Sequence, residues 1–375
     1  MDEFFGFVEH FSEVDDPRID RGKKHKLVDI LFIAVSCFLC GGRTFIDMED
    51  CGIGMKSWFK KYIELPEGIP SHDTFRRVFS LLSPEAFEAC FVKWTQTLHT
   101  MTKGEVIALD GKTIRHSFDT ATNQRAIHIV SAWATENGLA LGHVKVDDKS
   151  NEITALPKLI KMLDVKGRIV SIDAMGCQTD IARDIIDQNG DYVLCVKANH
   201  ESLYESLVRF FDIREGLEGI PHTHWASDEK NRGRKESREC WAVEATPEWL
   251  GFGEGWKGLR SIAALKRVRT TKQGKSVEWR YYITSLPGEA ERIAKAVREH
   301  WGIENSLHYV LDVTMGEDQS RARKDHSAEN LSTLRRIVVN MCKQDKTPMK
   351  GVPSIRRRML SARWNQDNLE RLLVT

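Results

Sequence analysis

Two stretches of the chain read as short apolar strands that run straight into a carboxylate. The first is Glu105-Val106-Ile107-Ala108-Leu109-Asp110-Gly111-Lys112, and the second is Gly167-Arg168-Ile169-Val170-Ser171-Ile172-Asp173-Ala174. Apolar runs of this length, bounded by polar residues and glycine, are the pattern of buried strands. A buried strand that ends on Asp, twice over, puts two carboxylates at strand ends in one sheet. That arrangement suits a divalent cation with oxygen ligands. Taken alone, either Asp reads equally well as an ordinary turn residue closing a strand.

The segments around these two strands specify the rest of the sheet. Ala126 to Trp133 is strand-like, Asn137-Gly138 is a strong hairpin signal, and Leu139 to Val146 returns as the partner strand. Glu152 to Leu163 reads as a helix containing Pro157, in its first turn or at a kink. After the Asp173 strand, Asp180 to Gln188 is a helix stopped by Asn189-Gly190, Tyr192 to Val196 a strand, and Glu201 to Phe211 a helix. This order predicts an α/β fold: a mixed sheet with flanking helices on a ribonuclease H-like plan. Residues 213–286 break the alternation. They are rich in Trp, Glu, Arg and Gly, with strand-like pieces at Cys240 to Val243, Leu259 to Val268 and Trp279 to Thr284, and read as a mostly β insertion. A long helix follows from about Gly288 through Val310, and another from Arg321 to about Lys343.

The predicted organisation is therefore an N-terminal helical domain over 1–102, a catalytic domain over 103–345, and a basic C-terminal tail over 346–375. In the first block, Phe4, Phe5, Phe7, Val8 and Phe11 recur at helical spacing. Arg21, Lys23, Lys24, His25 and Lys26 precede an apolar helix from Leu27 to Cys40. They fit either a grip on DNA phosphates or a solvated approach to the helix. Ser71 after Pro70 is a natural N-cap for a helix whose apolar face is Phe75, Val78 and Phe79. Arg76 and Arg77 on that helix fit either contact with DNA, as in helix-turn-helix readers, or a solvated surface. Ala86, Phe87, Cys90, Phe91, Trp94 and Leu98 mark one more helix, and Thr100 to Gly104 the linker beyond it. Arg356, Arg357, Arg358 and Arg363 in the tail fit either phosphate contact or solvation.

Composition bounds the partners. The 375 residues suffice for two or three domains, and 41% hydrophobic with 29% charged residues is the balance of a soluble globular protein. The net charge is +1, so phosphate binding must come from local patches. Leu27 to Cys40 is too short for a membrane span and too far from the start for an export signal, which points to the cytoplasm and no membrane partner. Most of the eight cysteines sit in apolar runs, as in a reducing compartment. The Cys37-x-x-Cys40 pair lacks a second pair and reads as packing rather than zinc.

Two strand-end aspartates need a third ligand. The long helix offers His300, Glu304, His308 and Asp312, each four residues after the last, beside apolar Trp301, Ile303, Leu307 and Leu311. At an effective dielectric of 20, two carboxylates about 4 Å apart repel by roughly 4 kcal/mol, and a divalent metal reverses that sign. All-oxygen ligands favour Mg2+ (or Mn2+) over zinc. Two such ions would serve an in-line phosphoryl displacement, with Asp110 bridging, Asp173 on one ion and Glu304 on the other. Lys112 or Arg115 would neutralise phosphate. His300 and His308 read as packing residues. A zinc site of His300, Glu304 and His308 would leave both aspartates unexplained. Arg234 and Arg238 fit either a surface ion-pair strand or DNA contact.

Asp110-Gly111-Lys112, Ile172-Asp173-Ala174 and His300-Trp301-Gly302-Ile303-Glu304-Asn305 together resemble the Asp-Asp-Glu (DDE) transposases of bacterial insertion sequences, most closely the H-repeat-associated group. The resemblance extends over nearly the whole chain. It includes Pro17-Arg18, Arg21-Gly22-Lys23-Lys24-His25, Gly68-Ile69-Pro70-Ser71-His72-Asp73-Thr74-Phe75, Gly233-Arg234-Lys235-Glu236-Ser237-Arg238, Leu311-Asp312-Val313 and Glu317-Asp318. It implies Asp110, Asp173 and Glu304 as a catalytic triad with magnesium. It also implies cleavage and joining of double-stranded DNA at element ends, a homodimer on DNA, and a cytoplasmic, nucleoid-associated location. Related transposases with a β insertion carry a Tyr, an Arg and a Lys around the catalytic Glu. Here Val297, His300 and Leu311 stand in those places, and Asn305 and His308 are the candidates to take over those contacts. The competing functions are a DNA-binding protein that keeps the fold without strand transfer, and a plain metal-dependent nuclease or hydrolase.

Overall fold

The computed structural model describes residues 5–20, 23–98, 103–118, 125–147, 151–212, 217, 219–231, 234–244, 255–272 and 274–374. Arg21 of the basic cluster, residues 100–102 of the expected linker, and the side chain of Arg234 lie outside the described residues. The N-terminal block holds α1 (Phe5–Phe11), α2 (Leu27–Leu39), α3 (Phe45–Gly54), α4 (Lys56–Phe59), α5 (His72–Leu81) and α6 (Pro84–Leu98). Nearly every residue of α2 is buried, as expected of a helix that is apolar all round. Thr44 and Asp47 close a capping box on α3, and the Ser71 side chain accepts from the Thr74 N–H at the start of α5.

The next stretch contains β1 (Val106–Thr113), β2 (His128–Ala134), β3 (Leu139–Lys145), α7 (Glu152–Met162), β4 (Ile169–Ile172), α8 (Thr179–Asp187), β5 (Asp191–Val196) and α9 (Glu201–Phe210). β6 (Thr223–Asn231), β7 (Arg234–Glu244), β8 (Ser261–Thr271) and β9 (Gly274–Thr284) then form an antiparallel meander. α10 (Ala290–Ile303), α11 (Ser327–Gln344), α12 (Ile355–Trp364) and α13 (Gln366–Leu373) complete the chain.

The nine strands among the described residues belong to one mixed sheet, ordered β3-β2-β1-β4-β5-β9-β8-β7-β6. β1 runs antiparallel to β2 and parallel to β4, and β4 runs parallel to β5. The stretch expected as a β insertion extends this sheet from β5 through β9 rather than forming a separate body. Its strands are longer than their apolar pieces suggest, because the outer halves of β8 and β9 are polar and solvent-facing.

The period of two along β1 divides the core. Ile107 and Leu109 join the cluster formed with α7, α8 and α9 on one face. Ala108 faces the other way, into a core shared by the N-terminal helices, α11, α12, α13 and the apolar side of the segment after α10. The basic segment after residue 345 thus packs on this core through α12 and α13. Leu369, Leu372 and Leu373 are buried, and the Glu370 carboxylate accepts from Trp58 Nε1 at 2.8 Å and from the Tyr62 hydroxyl at 2.5 Å. Among the arginines of this segment, Arg358 is buried in an ion pair with Asp345, while Arg356 and Arg363 are exposed.

Candidate metal centre

Strand register brings the first two acids together. β1 pairs Leu109 with Ile172 of β4, so the next residues, Asp110 and Asp173, stand at the same level. They differ in setting. β4 stops at Ile172 and leaves Asp173 at a strand end, whereas β1 continues to Thr113, so Asp110 lies inside its strand opposite Ser131 of β2. Asp173 Oδ1 accepts from the Met175 N–H at 2.8 Å, capping a tight turn, and Oδ2 lies 3.5 Å from Lys197 Nζ.

The third acid comes from the continuation of α10. Past Ile303 the helix widens: the Tyr309 N–H donates to the Glu304 carbonyl, and the Met315 N–H to that of Val310, each spanning five residues. In an α-helix, residues four apart drift by about 40° per step. The wider turns rotate each residue by less, and so hold His300, Glu304, His308 and Asp312 in one line facing β1 and β4. Each has its own partner. His300 Nδ1 lies 2.6 Å from Ser171 Oγ on β4, and burial holds this ring below the usual histidine range. Glu304 and His308 meet Asp110. Asp312 meets Lys112 at 2.6 Å.

One ligand atom each from Asp110, Glu304 and His308 lie within 4.8 Å of one another. His308 Nδ1 is 3.4 Å from Asp110 Oδ2 and 3.5 Å from Glu304 Oε2. Asp110, Asp173 and Glu304 all line a cavity of about 110 Å³, with Lys197, Arg280 and His300 in its wall. Burial, reinforced by the negative charges of Glu304 and Asp173, pushes the Asp110 carboxyl up to about 8. Glu304 is held below the usual range by the facing His308 ring. The two carboxyls thus shift in opposite directions, as expected of like charges that share one site. Trp301 is partly exposed beside this cavity, and the Arg280 guanidinium lies 4.6 Å from its ring centre.

The basic residues expected at DNA have diverse surroundings. Lys112 is not at the surface. It is 8% exposed, bonded to Asp312 and to Glu317 at 2.8 Å, with Asp318 at 3.6 Å, so its charge is already answered and presents no face to a phosphate. Arg115 is exposed and pairs with Asp318 at 3.3 Å. Arg238 is mostly covered and pairs with Glu236 and Glu229. Lys23 and Lys24 are exposed, Lys23 near Asp20. Arg76 and Arg77 are exposed on α5, Arg76 bonded to Asp73 at 2.7 Å. Arg76 lines a groove of about 1120 Å³ together with Arg43, Arg321, Arg323 and Lys324. The last four have no carboxylate in ion-pair range among the described residues.

Lys197, Arg280 and the pairing of Glu317 with Lys112, Arg335 and Arg336 escaped the sequence reading. For Lys197 a signal exists: Val193-Leu194-Cys195-Val196-Lys197 is a third apolar run ending on a charge, and β5 lies beside β4 in parallel. Arg280 and the partners of Glu317 are joined by tertiary contacts with no local pattern.

Comparison with known proteins places the chain in a class. The model of the transposase DDE domain matches residues 101–341, and that of the DDE_Tnp_1-associated region matches residues 8–95. The chain therefore belongs to the DDE transposase family, in its H-repeat group. It is 40% identical over 371 residues to the "H repeat-associated putative transposase YhhI" of Escherichia coli K12, covering 98% of this chain and 97% of that one. It is 41% identical over 355 residues to the "Putative transposase YncI" of Escherichia coli O157:H7, covering 94% and 91%. Among solved structures, a piggyBac transposase synaptic complex with hairpin DNA aligns over 98% of this chain and 77% of that one, at 9% identity and a TM-score of 0.42, too low to bear on the fold.

Proposed function

We propose that this transposase cuts and joins DNA strands at the ends of its element in a reaction that depends on divalent metal, with Asp110, Asp173 and Glu304 as the catalytic carboxylates. The observation that carries the reading is their convergence on one cavity from β1, β4 and the helix after β9. The donor set fits a divalent ion. Two carboxylates and an imidazole are gathered at ligand spacing, and the raised Asp110 carboxyl marks a place where negative charge lacks a counterion. Mg2+ or Mn2+ bound there would activate a water or a 3′-hydroxyl and steady the leaving oxygen.

The protein's own groups do the positioning. Lys197 and Arg280 stand in the cavity wall where a phosphate would enter. Trp301 and Tyr309, both exposed on the Glu304 helix, offer aromatic faces for bases. The groove of Arg43, Arg76, Arg321, Arg323 and Lys324 offers a path for duplex DNA beyond the acids, and the N-terminal helices are its other wall. The strand order β3-β2-β1-β4-β5, with β1, β4 and β5 parallel, supports a ribonuclease H-like centre within 103–345. DNA recognition by 1–102 and action as a homodimer in the cytoplasm belong to the same proposal. Among the described residues no helix is long and apolar enough to cross a membrane.

The test uses the whole protein with duplexes carrying the inverted repeats that border its gene. Nicking at a repeat end that requires Mg2+ or Mn2+ and vanishes in Asp110→Asn supports the proposal. Binding without nicking would leave a DNA-binding protein, and nicking without joining of 3′ ends would leave a nuclease.

A further inference from the structure

We infer that His308 is a direct metal ligand, so that one ion is held by Asp110, Glu304 and a ring nitrogen, and that this site prefers Mn2+ to Mg2+. The inference rests on the proposal that Asp110 and Glu304 form a metal centre, and it adds a ligand type that a purely carboxylate centre lacks.

Spacing is the first argument. His308 Nδ1 stands 3.4 Å from Asp110 Oδ2 and 3.5 Å from Glu304 Oε2. Both separations exceed the ~2.7–3.2 Å of an N–H···O hydrogen bond. They match neighbouring ligands around a shared ion: bonds of roughly 2.1 Å put adjacent donors about 3.0 Å apart on an octahedron and about 3.4 Å apart on a tetrahedron. The His308 nitrogen is too far from either carboxylate for a short hydrogen bond and well placed to share an ion with both.

Burial is the second argument. The His308 side chain is 5% exposed, and its Nε2 has no hydrogen-bond partner among the described residues. The polar surroundings of the ring are thus confined to its Nδ1 edge, where both neighbours are carboxylates of the centre. The ring turns its one polar edge to two acids, where it can act as their counterion or share a cation with them, and a ring kept for hydrogen bonding alone would sit closer to one acceptor. His300, one helical step before Glu304, shows the contrast, with its Nδ1 at 2.6 Å from Ser171 Oγ.

Backbone geometry is the third argument. Glu304 and His308 are four residues apart, the spacing by which one helix lends two ligands to one ion in the zinc metalloproteases. The wide turn between them, closed by the Tyr309 N–H on the Glu304 carbonyl, keeps both on the side facing β1. Wide turns of this kind recur where a helix carries a functional site. Asp173 is excluded from this trio. None of its oxygens joins the group at ligand spacing; it lines the same cavity from the end of β4, with Oδ1 accepting from the Met175 N–H. Imidazole suits softer divalent ions than Mg2+, which takes oxygen donors, and this sets the expected preference.

The test is Mn2+ binding to the whole protein without DNA, read by calorimetry and by pulsed electron paramagnetic resonance. The expected results are 14N modulation from a directly bound imidazole in the wild type, and Mn2+ binding at least about tenfold weaker in His308→Ala and His308→Gln. The ratio of Mn2+ to Mg2+ affinity should collapse in both variants. The wild-type spectrum is decisive even if both variants fail to fold. Absence of nitrogen modulation, with Mn2+ bound normally by the variants and lost in Asp110→Asn, overturns the ligand role of His308 and leaves the carboxylate centre standing. Mn2+ binding unaffected by Asp110→Asn overturns both.

Discussion

Glu317→Gln should be among the most damaging conservative changes in the molecule. Glu317 is fully buried, with Oε2 accepting from Lys112 at 2.8 Å and Oε1 accepting from Ser332 Oγ at 2.8 Å. Arg335 and Arg336, both fully buried on α11, stand 3.7 Å from Oε1. Burial opposes the Glu317 charge, yet Lys112, Arg336 and Arg335 together hold this carboxyl far below its usual range. Replacing it with a neutral amide of the same shape leaves three buried cations, of which only Lys112 keeps carboxylates in ion-pair range among the described residues, Asp312 at 2.6 Å and Asp318 at 3.6 Å. Breaking a buried pair in this way costs about 3–5 kcal/mol. The unfolding entropy of a chain of 375 residues is about 0.8 kcal/mol/K at ~2.1 cal/mol/K per residue, so Tm should fall by roughly 4–6 °C. The loss has a pH signature. A depressed carboxyl contributes in full above its unfolded value near ~4.3, and the contribution fades as pH falls below that. Wild type and variant should therefore differ at pH 7 and converge in acid. Calorimetric scans from pH 3 to 8 measure both. A Tm within about 1 °C of wild type at pH 7 would refute the reasoning.

Three further outcomes are expected. Gly176→Ala should destabilise by about 1–3 kcal/mol in denaturant titrations, because the new methyl would meet Ile172 Cγ2 at 2.3 Å and Leu156 Cδ1 at 2.8 Å under the turn that Asp173 caps. Asp29 is pushed up to about 6 by burial, so from pH ~4 to ~6 the unfolded chain gives up a proton that the folded one keeps, and stability falls as pH rises. Asp29→Asn should abolish that slope and stabilise the protein at pH 7.5 by up to about 3 kcal/mol, with no gain below pH 4. Arg321→Ala should weaken binding to all duplexes alike and lower the slope of log affinity against log salt by about 0.9, as loss of one phosphate contact requires. An unchanged slope would remove the basic groove from the DNA path.

How much of this could be read in the chain depended on how local the cause was. The Asp110 and Asp173 strands, the Asn137-Gly138 hairpin and the Glu304 helix were legible because apolar period and turn residues act over a few positions. So was the stripe from His300 to Asp312, although the wide turns that straighten it have no sequence signature. Lys112 misled because it sits two residues from Asp110, where a phosphate ligand would be useful, while the acids that bury it lie about 200 residues away. The helix that carries Arg335 and Arg336 was legible, but not that it is buried nearly all round. The arginines of 356–363 drew attention away from Leu369, Leu372 and Leu373, whose spacing and Asn365 cap signal a packed helix. His308 read as packing because a ring among leucines usually is. Only its distances to two carboxylates set it apart.

The core that joins α2 to α13 has a consequence for how the molecule is made. Its earliest helices leave the ribosome more than 300 residues before α13, so the face that α13 covers stays open for most of the time translation takes. A message cut short by a stop codon or a broken reading frame would yield a sticky, unsealed fragment rather than a lesser DNA binder. Interruption of the gene anywhere along its length should silence it completely, leaving no half-working product to compete for DNA.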